Sequence, residues 1–218
     1  MTQLRILIAD DHEVLRAGLR NLLEKQAGWI VVGEARDGRE AVSKAIELKP
    51  DIAVIDISMP SLNGIEATRQ IVNSAVPTKV LILTMHESDS LVREVLVAGA
   101  QGYVLKNDTA HDLVAAVQSL TRNETFFTSK IARMVLDGYL KKHLPPGDGD
   151  ASAPLLTARQ REIVQLITEG KSNKEVAVAL GISVKTVDTH RANIMRRLDC
   201  HSVSEIVRYA IKNGIVQP

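Results

Sequence analysis

The chain has 218 residues, 45% hydrophobic but only 3% aromatic, so its cores are built from Leu, Ile, Val and Ala in one large domain or two small ones. No run approaches the roughly 20 uninterrupted apolar residues that cross a bilayer. No basic region followed by a long apolar run marks a signal peptide, so no membrane partner is expected. The net charge of +1 hides a split: residues 1–121 carry 12 Lys+Arg against 16 Asp+Glu, while residues 155–218 carry 10 against 6. An acidic first part and a basic tail suggest separate partners, with nucleic acid a candidate for the tail.

Leu4–Ala9 reads as a strand and His12–Lys25 as a helix, with Val14, Leu15, Gly18, Leu19, Leu22 and Leu23 at helical spacing. The alternation continues through strand Ile30–Gly33, helix Gly38–Leu48, strand Ile52–Ile55 and helix Ile65–Val72. Strand Val80–Leu83, helix Ser90–Ala98, strand Tyr103–Leu105 and helix His111–Leu120 complete five β-α units. Strands apolar on both faces and separated by helices predict a five-stranded, doubly wound parallel sheet with helices on both sides. Ligand sites in such sheets lie at the carboxyl ends of the strands. Asp10 and Asp11 end the first strand, Asp56 the third, Thr84 the fourth and Lys106 the fifth.

A weaker apolar period over 128–142 predicts one more helix inside a linker assigned to residues 122–154. The stretch "HLPPGDGDASAP" has almost nothing to bury, and the domain boundary is placed within 143–154. The tail, 155–218, is helical by pattern. Thr157 caps helix Ala158–Glu169, Asn173–Leu180 ends at Gly181, Ser183 caps Val184–Leu198, and a last helix runs from Ser202 to Lys212. The lone Cys200 has no disulfide partner within the chain, which suits a reducing cytoplasm, and reads as apolar filler.

Two unit charges about 4 Å apart repel by roughly 4 kcal/mol at an effective dielectric near 20. Asp10, Asp11 and Asp56 gathered at one sheet edge therefore need raised pKa values or a cation. Mg²⁺ suits such hard oxygen donors, and Lys106 would neutralise more charge. Beside a dication, one aspartate can attack a phosphoryl group while Thr84 and Lys106 hold its oxygens. Asp56 stands apart from the metal-holding pair and is the expected nucleophile. Taken singly, each of these residues is an ordinary solvated turn residue; the reading rests on all five falling at equivalent strand ends.

The stretches "ILIADDHEVLRAGL", "VVGEARDGREAV", "PDIAVIDISMPSLNGIEATRQI", "VLILTMHES" and "AGAQGYVLKN" resemble, in order and spacing, the receiver domain of two-component response regulators. The resemblance implies that Asp56 is the phosphoacceptor of a histidine kinase. It implies Mg²⁺ held by Asp11, Asp56 and the backbone carbonyl of Ser58, with Asp10 acting through water. It gives Thr84 and Lys106 phosphate-sensing roles and makes Tyr103 the aromatic that changes rotamer, against the plain alternative of a partly exposed strand-edge aromatic.

In the tail, a short helix, a Gly-containing turn and a second helix have helix-turn-helix spacing. Val187, Ile194 and Leu198 should face the core. Lys185, Asp188 and Thr189 offer hydrogen-bonding groups for base edges near the start of the second helix, with Thr186 in the same turn. Lys174, Arg191, Arg196 and Arg197 suit phosphate. The stretch "LTARQREIVQLITEGKSNKEVAVALGISVKTVDTHRANIMRRL" closely resembles the LuxR-type DNA-binding domain, which makes the whole chain similar to response regulators of the NarL/FixJ class. That implies a phosphorylation-switched transcription factor binding double-stranded DNA as a homodimer through the Ser202–Lys212 helix. Asp188 departs from the basic residue of some members: it either accepts from cytosine N4 or orients Lys185 or Arg191. Two other readings stay open, a DNA-binding regulator controlled without phosphorylation and an aspartyl-phosphate-forming phosphohydrolase. The latter lacks the second aspartate expected two residues after the nucleophile, where Ser58 stands.

Overall fold

The computed structural model describes residues 3–85, 88–143 and 156–216. By internal contacts the chain divides into two units, Met1–Leu144 and Pro145–Pro218. Residues 144–155, which contain most of the expected boundary segment, lie outside the described residues.

The first unit alternates strands β1 (Leu4–Ala9), β2 (Trp29–Ala35), β3 (Ile52–Ile55), β4 (Lys79–Thr84) and β5 (Gly102–Leu105) with helices α1 (Glu13–Glu24), α2 (Gly38–Leu48), α3 (Gly64–Asn73), α4 (Asp89–Ala98) and α5 (Ala110–Thr121). A short strand β6 (Phe126–Phe127) and helix α6 (Ser129–His143) follow. The sheet is parallel in the order β2-β1-β3-β4-β5-β6. The chain leaves β1 in one direction for β2 and returns to its other side for β3. The order therefore reverses at β1, and the crevice beyond the carboxyl ends of β1 and β3 is the natural ligand position.

Successive strand residues alternate between two cores. Ile6 and Ile8 face a cluster with Leu19 and Leu23 of α1 and Leu113, Val117 and Leu120 of α5. Leu7 and Ala9 face the opposite cluster with Ala41, Ala45, Ile71 and Val95. Trp29, the only tryptophan, begins β2 and packs half-buried against the first of these cores.

The sheet has six strands rather than five. Gly102 and Tyr103 pair with Phe126 and Phe127, so β5 is an interior strand. Beyond it, residues of the expected linker pack onto the first unit. Helix α6 lies against α4, and its Ile131 is fully buried among the α4-side core residues. Tyr103 is fully buried in the same cluster, which replaces the partly exposed edge position with an enclosed one.

Two glycines set the loop after β3. A Cβ on Gly64 would lie 2.0 Å from the Asp56 carbonyl oxygen, and one on Gly38 would lie 2.0 Å from that of Leu62. Backbone therefore touches backbone at both ends of the loop.

The second unit contains α7 (Ala158–Thr168), α8 (Asn173–Leu180), α9 (Val184–Leu198) and α10 (Val203–Lys212). Thr157 and Ser172 start their helices with capping boxes to Gln160 and Glu175, and Ser183 caps α9. Gly181 ends α8 at φ +62°. Ile163, Val176, Val187, Ile194, Ile206 and Ala210 form its core, with Leu198 partly buried against it and Cys200 buried. Among the described residues no helix is long and apolar enough to cross a membrane.

Candidate functional site

Parallel pairing carries the ladder one residue past each strand. Asp10 N–H donates to the Ala35 carbonyl at 3.1 Å, and Asp56 N–H donates to the Ala9 carbonyl at 2.8 Å. The two aspartates thus leave adjacent strands at one level. Their side chains are only 1% and 3% exposed. Lys106 reaches between them, its Nζ 2.7 Å from Asp10 Oδ2 and 2.8 Å from Asp56 Oδ2. Its backbone N–H is tied to the carbonyl of Thr84, which is fully buried at the end of β4.

Burial pushes the Asp56 carboxyl up. Lys106 and a backbone hydrogen bond from Ser58 pull against this, the Asp10 charge adds to it, and the net direction is upward. For Lys106, burial pulls the ammonium down, but Asp56 and Asp10 outweigh it and hold the group above the ordinary lysine value.

Asp11 and His12 form the solvent side. His12 donates its backbone N–H to Asp10 Oδ1 at 2.8 Å, and its Nδ1 lies 2.8 Å from Asp11 Oδ1. Donor atoms of Asp10, Asp11, His12 and Asp56 all lie within 4.8 Å of one another. Three carboxylates and one ammonium leave two negative charges in a half-closed, oxygen-rich cluster. That donor set fits a hard dication that keeps some of its waters. Arg16 also acts here, its Nη1 donating to the Asp10 carbonyl at 2.7 Å. The sequence reading missed both His12 and Arg16. A histidine after two aspartates is a visible donor pattern, whereas the Arg16 contact depends on where α1 begins.

On the second unit, Lys174, Lys185, Thr186, Asp188, Thr189 and Arg196 are exposed, and Arg191 is half-buried. Some of these groups are already engaged. Thr186 Oγ1 is 2.8 Å from the capping Ser183 hydroxyl, Thr189 donates to the Lys185 carbonyl at 3.0 Å, and Arg196 bonds Asn193. An amide joins the helices α8 and α9. Asn173 Nδ2 donates to Asp188 Oδ1 at 2.6 Å, and Asn173 Oδ1 accepts from Arg191 Nη1 at 2.9 Å. Asp188 is thus coupled to Arg191 through Asn173.

Residues 6–118 match the response regulator receiver domain, and residues 154–210 match the family described as bacterial regulatory proteins, luxR family. The chain is 39% identical over 215 residues to oxygen regulatory protein NreC of Staphylococcus haemolyticus, spanning 98% of this chain and 99% of NreC. It is 39% identical over 213 residues to transcriptional regulatory protein LiaR of Bacillus subtilis, again spanning 98% of this chain and 99% of the relative. It is also similar to the solved structure of RcsB from Salmonella enterica serovar Typhimurium, bound to promoter rprA in the presence of phosphomimetic BeF3-. That likeness has a TM-score of 0.62 and 25% identity, over 95% of this chain and 98% of RcsB. With both parts matched in order and whole-length relatives aligned from end to end, the chain belongs to the response regulators that join a receiver domain to a LuxR-type DNA-binding domain.

Proposed function

We propose that the chain is a cytoplasmic transcriptional regulator switched by phosphorylation of Asp56, and that the sequence divides functionally into a receiver (1–121), a connecting segment (122–154) and a DNA-binding domain (155–218). The observation that carries this reading is the Lys106 ammonium bridging Asp10 and Asp56 at 2.7 and 2.8 Å. It places a buried carboxylate beside the cation that can receive a phosphoryl oxygen. An Asp56 carboxylate oxygen attacks the phosphorus of a phosphohistidine on a kinase. The new P–O bond forms as the P–N bond breaks, and the electron pair leaves with the imidazole nitrogen. Lys106 then exchanges a carboxylate oxygen for a phosphoryl oxygen, and the Thr84 hydroxyl donates to another.

Asp11, Asp56 and the Ser58 carbonyl, with Asp10 through water, are the groups that would hold Mg²⁺. When bound, the ion offsets charge on the transferred oxygens. Asp56 is modified once rather than turning over as a phosphohydrolase nucleophile, since Ser58 stands where such an enzyme carries its second aspartate.

The bistable element is the segment after Thr84 together with α4 and β5, and Tyr103 moves with it. Because α6 rests on α4 and β6 extends β5, displacement of α4 also disturbs the segment that leads to the second unit. The DNA-facing surface comprises Lys174, Lys185, Thr186, Asp188, Thr189, Arg191 and Arg196. Helix α10, with Val203 and Ile211 partly exposed outside the core formed with Ile206 and Ala210, supplies the homodimer contact on DNA. The RcsB structure, bound to a promoter in the presence of a phosphomimetic, supports linking DNA binding to phosphorylation of the receiver.

The test is to incubate the full chain and its Asp56→Asn variant with a small acyl phosphate and Mg²⁺, and to weigh both intact. A gain of one phosphoryl group in the wild type alone is expected. No gain in either would overturn the phosphorylation switch and leave a DNA-binding regulator controlled in another way.

A further inference from the structure

We propose that Asn173 is a specificity-positioning residue. Its amide fixes the Asp188 carboxylate so that the second oxygen, Oδ2, accepts from an amino group on a base edge, with cytosine N4 the preferred donor. This deepens the DNA-binding reading given above and rests on it. A carboxylate near the start of a groove-entering helix faces a polyanion and is repelled unless its charge is offset. Asp188 and Arg191 are three residues apart on α9 and share a face. A direct ion pair on that face would turn the carboxylate along the helix. Instead the Asn173 amide, from the first turn of α8, lies between them at 2.6 Å from Asp188 Oδ1 and 2.9 Å from Arg191 Nη1.

The relay has two consequences. It couples Asp188 to a cation without using both carboxylate oxygens, and among the described residues Oδ2 has no partner. Asp188 is exposed at the fifth position of α9, while Asn173 and Arg191 are half-buried at the junction with α8, so the free oxygen belongs to the outward end of the relay. An ionised carboxylate only accepts, and in the major groove cytosine N4 presents a donor without the neighbouring purine N7 acceptor. The remaining guanidinium nitrogens of Arg191 are left for phosphate.

The experiment selects from a library of randomised duplexes with the full chain, treated with acyl phosphate and Mg²⁺, and sequences the bound fraction. It compares wild type, Asn173→Ala, Asn173→Asp and Asp188→Ala. Asn173→Asp keeps the acceptor for Arg191 but removes the donor to Asp188. The wild type should prefer cytosine at one position of each half-site. All three variants should lose that preference by about tenfold, with preferences elsewhere, the thermal midpoint and the salt dependence retained. An unchanged preference in Asn173→Ala, with the preference lost in Asp188→Ala, overturns the proposal, because Asp188 then reads the base unaided. A uniform loss of affinity with a lowered thermal midpoint also overturns it and makes Asn173 an interhelical brace. Failure of the wild type to enrich any sequence would instead reject the DNA-binding reading itself.

Discussion

Lys106 Nζ touches Asp56 Oδ2 at 2.8 Å and Asp10 Oδ2 at 2.7 Å, so one buried ammonium holds two buried carboxylates together. Removing one partner of such a pairing leaves uncompensated charge in a poorly hydrated place. Lys106→Met should lower the unfolding free energy by about 3 kcal/mol in EDTA. Added Mg²⁺ should recover part of that loss, because a dication offsets the same charge. Urea unfolding with and without the metal checks both statements.

The raised Asp56 carboxyl makes stability depend on pH in a direction opposite to that of an ordinary salt-bridged aspartate. The folded state holds the proton more tightly than the unfolded chain. Stability therefore falls as pH rises from the ordinary value of 3.8 through the raised one. In EDTA, Asp56→Asn should match the wild type at the acid end of this window and exceed it increasingly toward neutral pH. A stability difference that is flat with pH would contradict the assignment.

Gly64 has no room for a side chain. Gly64→Ala places a methyl 2.0 Å from the Asp56 carbonyl oxygen, and the loop must shift. The variant should lose about 3 kcal/mol and its uptake of phosphate in the mass assay. Gly18 is the control: it is exposed within α1, and a methyl added there would meet nothing within 4 Å. Gly18→Ala should gain about 0.5–1 kcal/mol through helix propensity alone.

Helix α6 is a working part of the first unit. Ile131→Ala empties a fully buried site and should destabilise that unit by about 2–4 kcal/mol. The shift should appear in unfolding followed at Trp29, which lies in the same unit. An unmoved Trp29 transition would show that α6 is not part of its cooperative fold.

Lys174 is exposed on the first turn of α8. As a phosphate contact, Lys174→Ala should weaken binding to all duplexes alike and reduce the slope of log affinity against log salt by about one. A sequence-dependent loss would move it to the base-reading group.

Much of the first unit is legible because a doubly covered parallel sheet writes each strand as an apolar run and aligns the carboxyl ends. Asp10, Asp56, Thr84 and Lys106 fall at one rim for that reason. β2 extends past the predicted Ile30–Gly33 because Gly33 and Glu34 interrupt its apolar pattern, while pairing with β1 continues to Ala35. β6 has no periodicity to read: two residues become a strand only because β5 offers an open edge. Tyr103 is enclosed in a cluster that Phe127 of β6 and Ile131 of α6 share, so the alternative of a partly exposed edge aromatic falls with the unread strand and the packing of α6. The Asp188–Asn173–Arg191 relay spans 15 and 18 positions of sequence, and no local pattern encodes it.

The position of Trp29 decides what intrinsic fluorescence can observe. It sits at the amino end of β2, whereas the acidic cluster lies beyond the carboxyl ends of the strands, about 20 Å away at roughly 3.3 Å per residue. Indole emission should therefore stay nearly silent when Asp56 is modified and yet report fully on melting of the first unit. The second unit has no tryptophan, and its Tyr209 packs against the helical core. Exciting at the red edge isolates the indole, and the difference from shorter-wavelength excitation carries the phenols. The indole therefore follows the sheet domain alone, whereas the phenol signal combines Tyr209 of the second unit with Tyr103 and Tyr139 of the first.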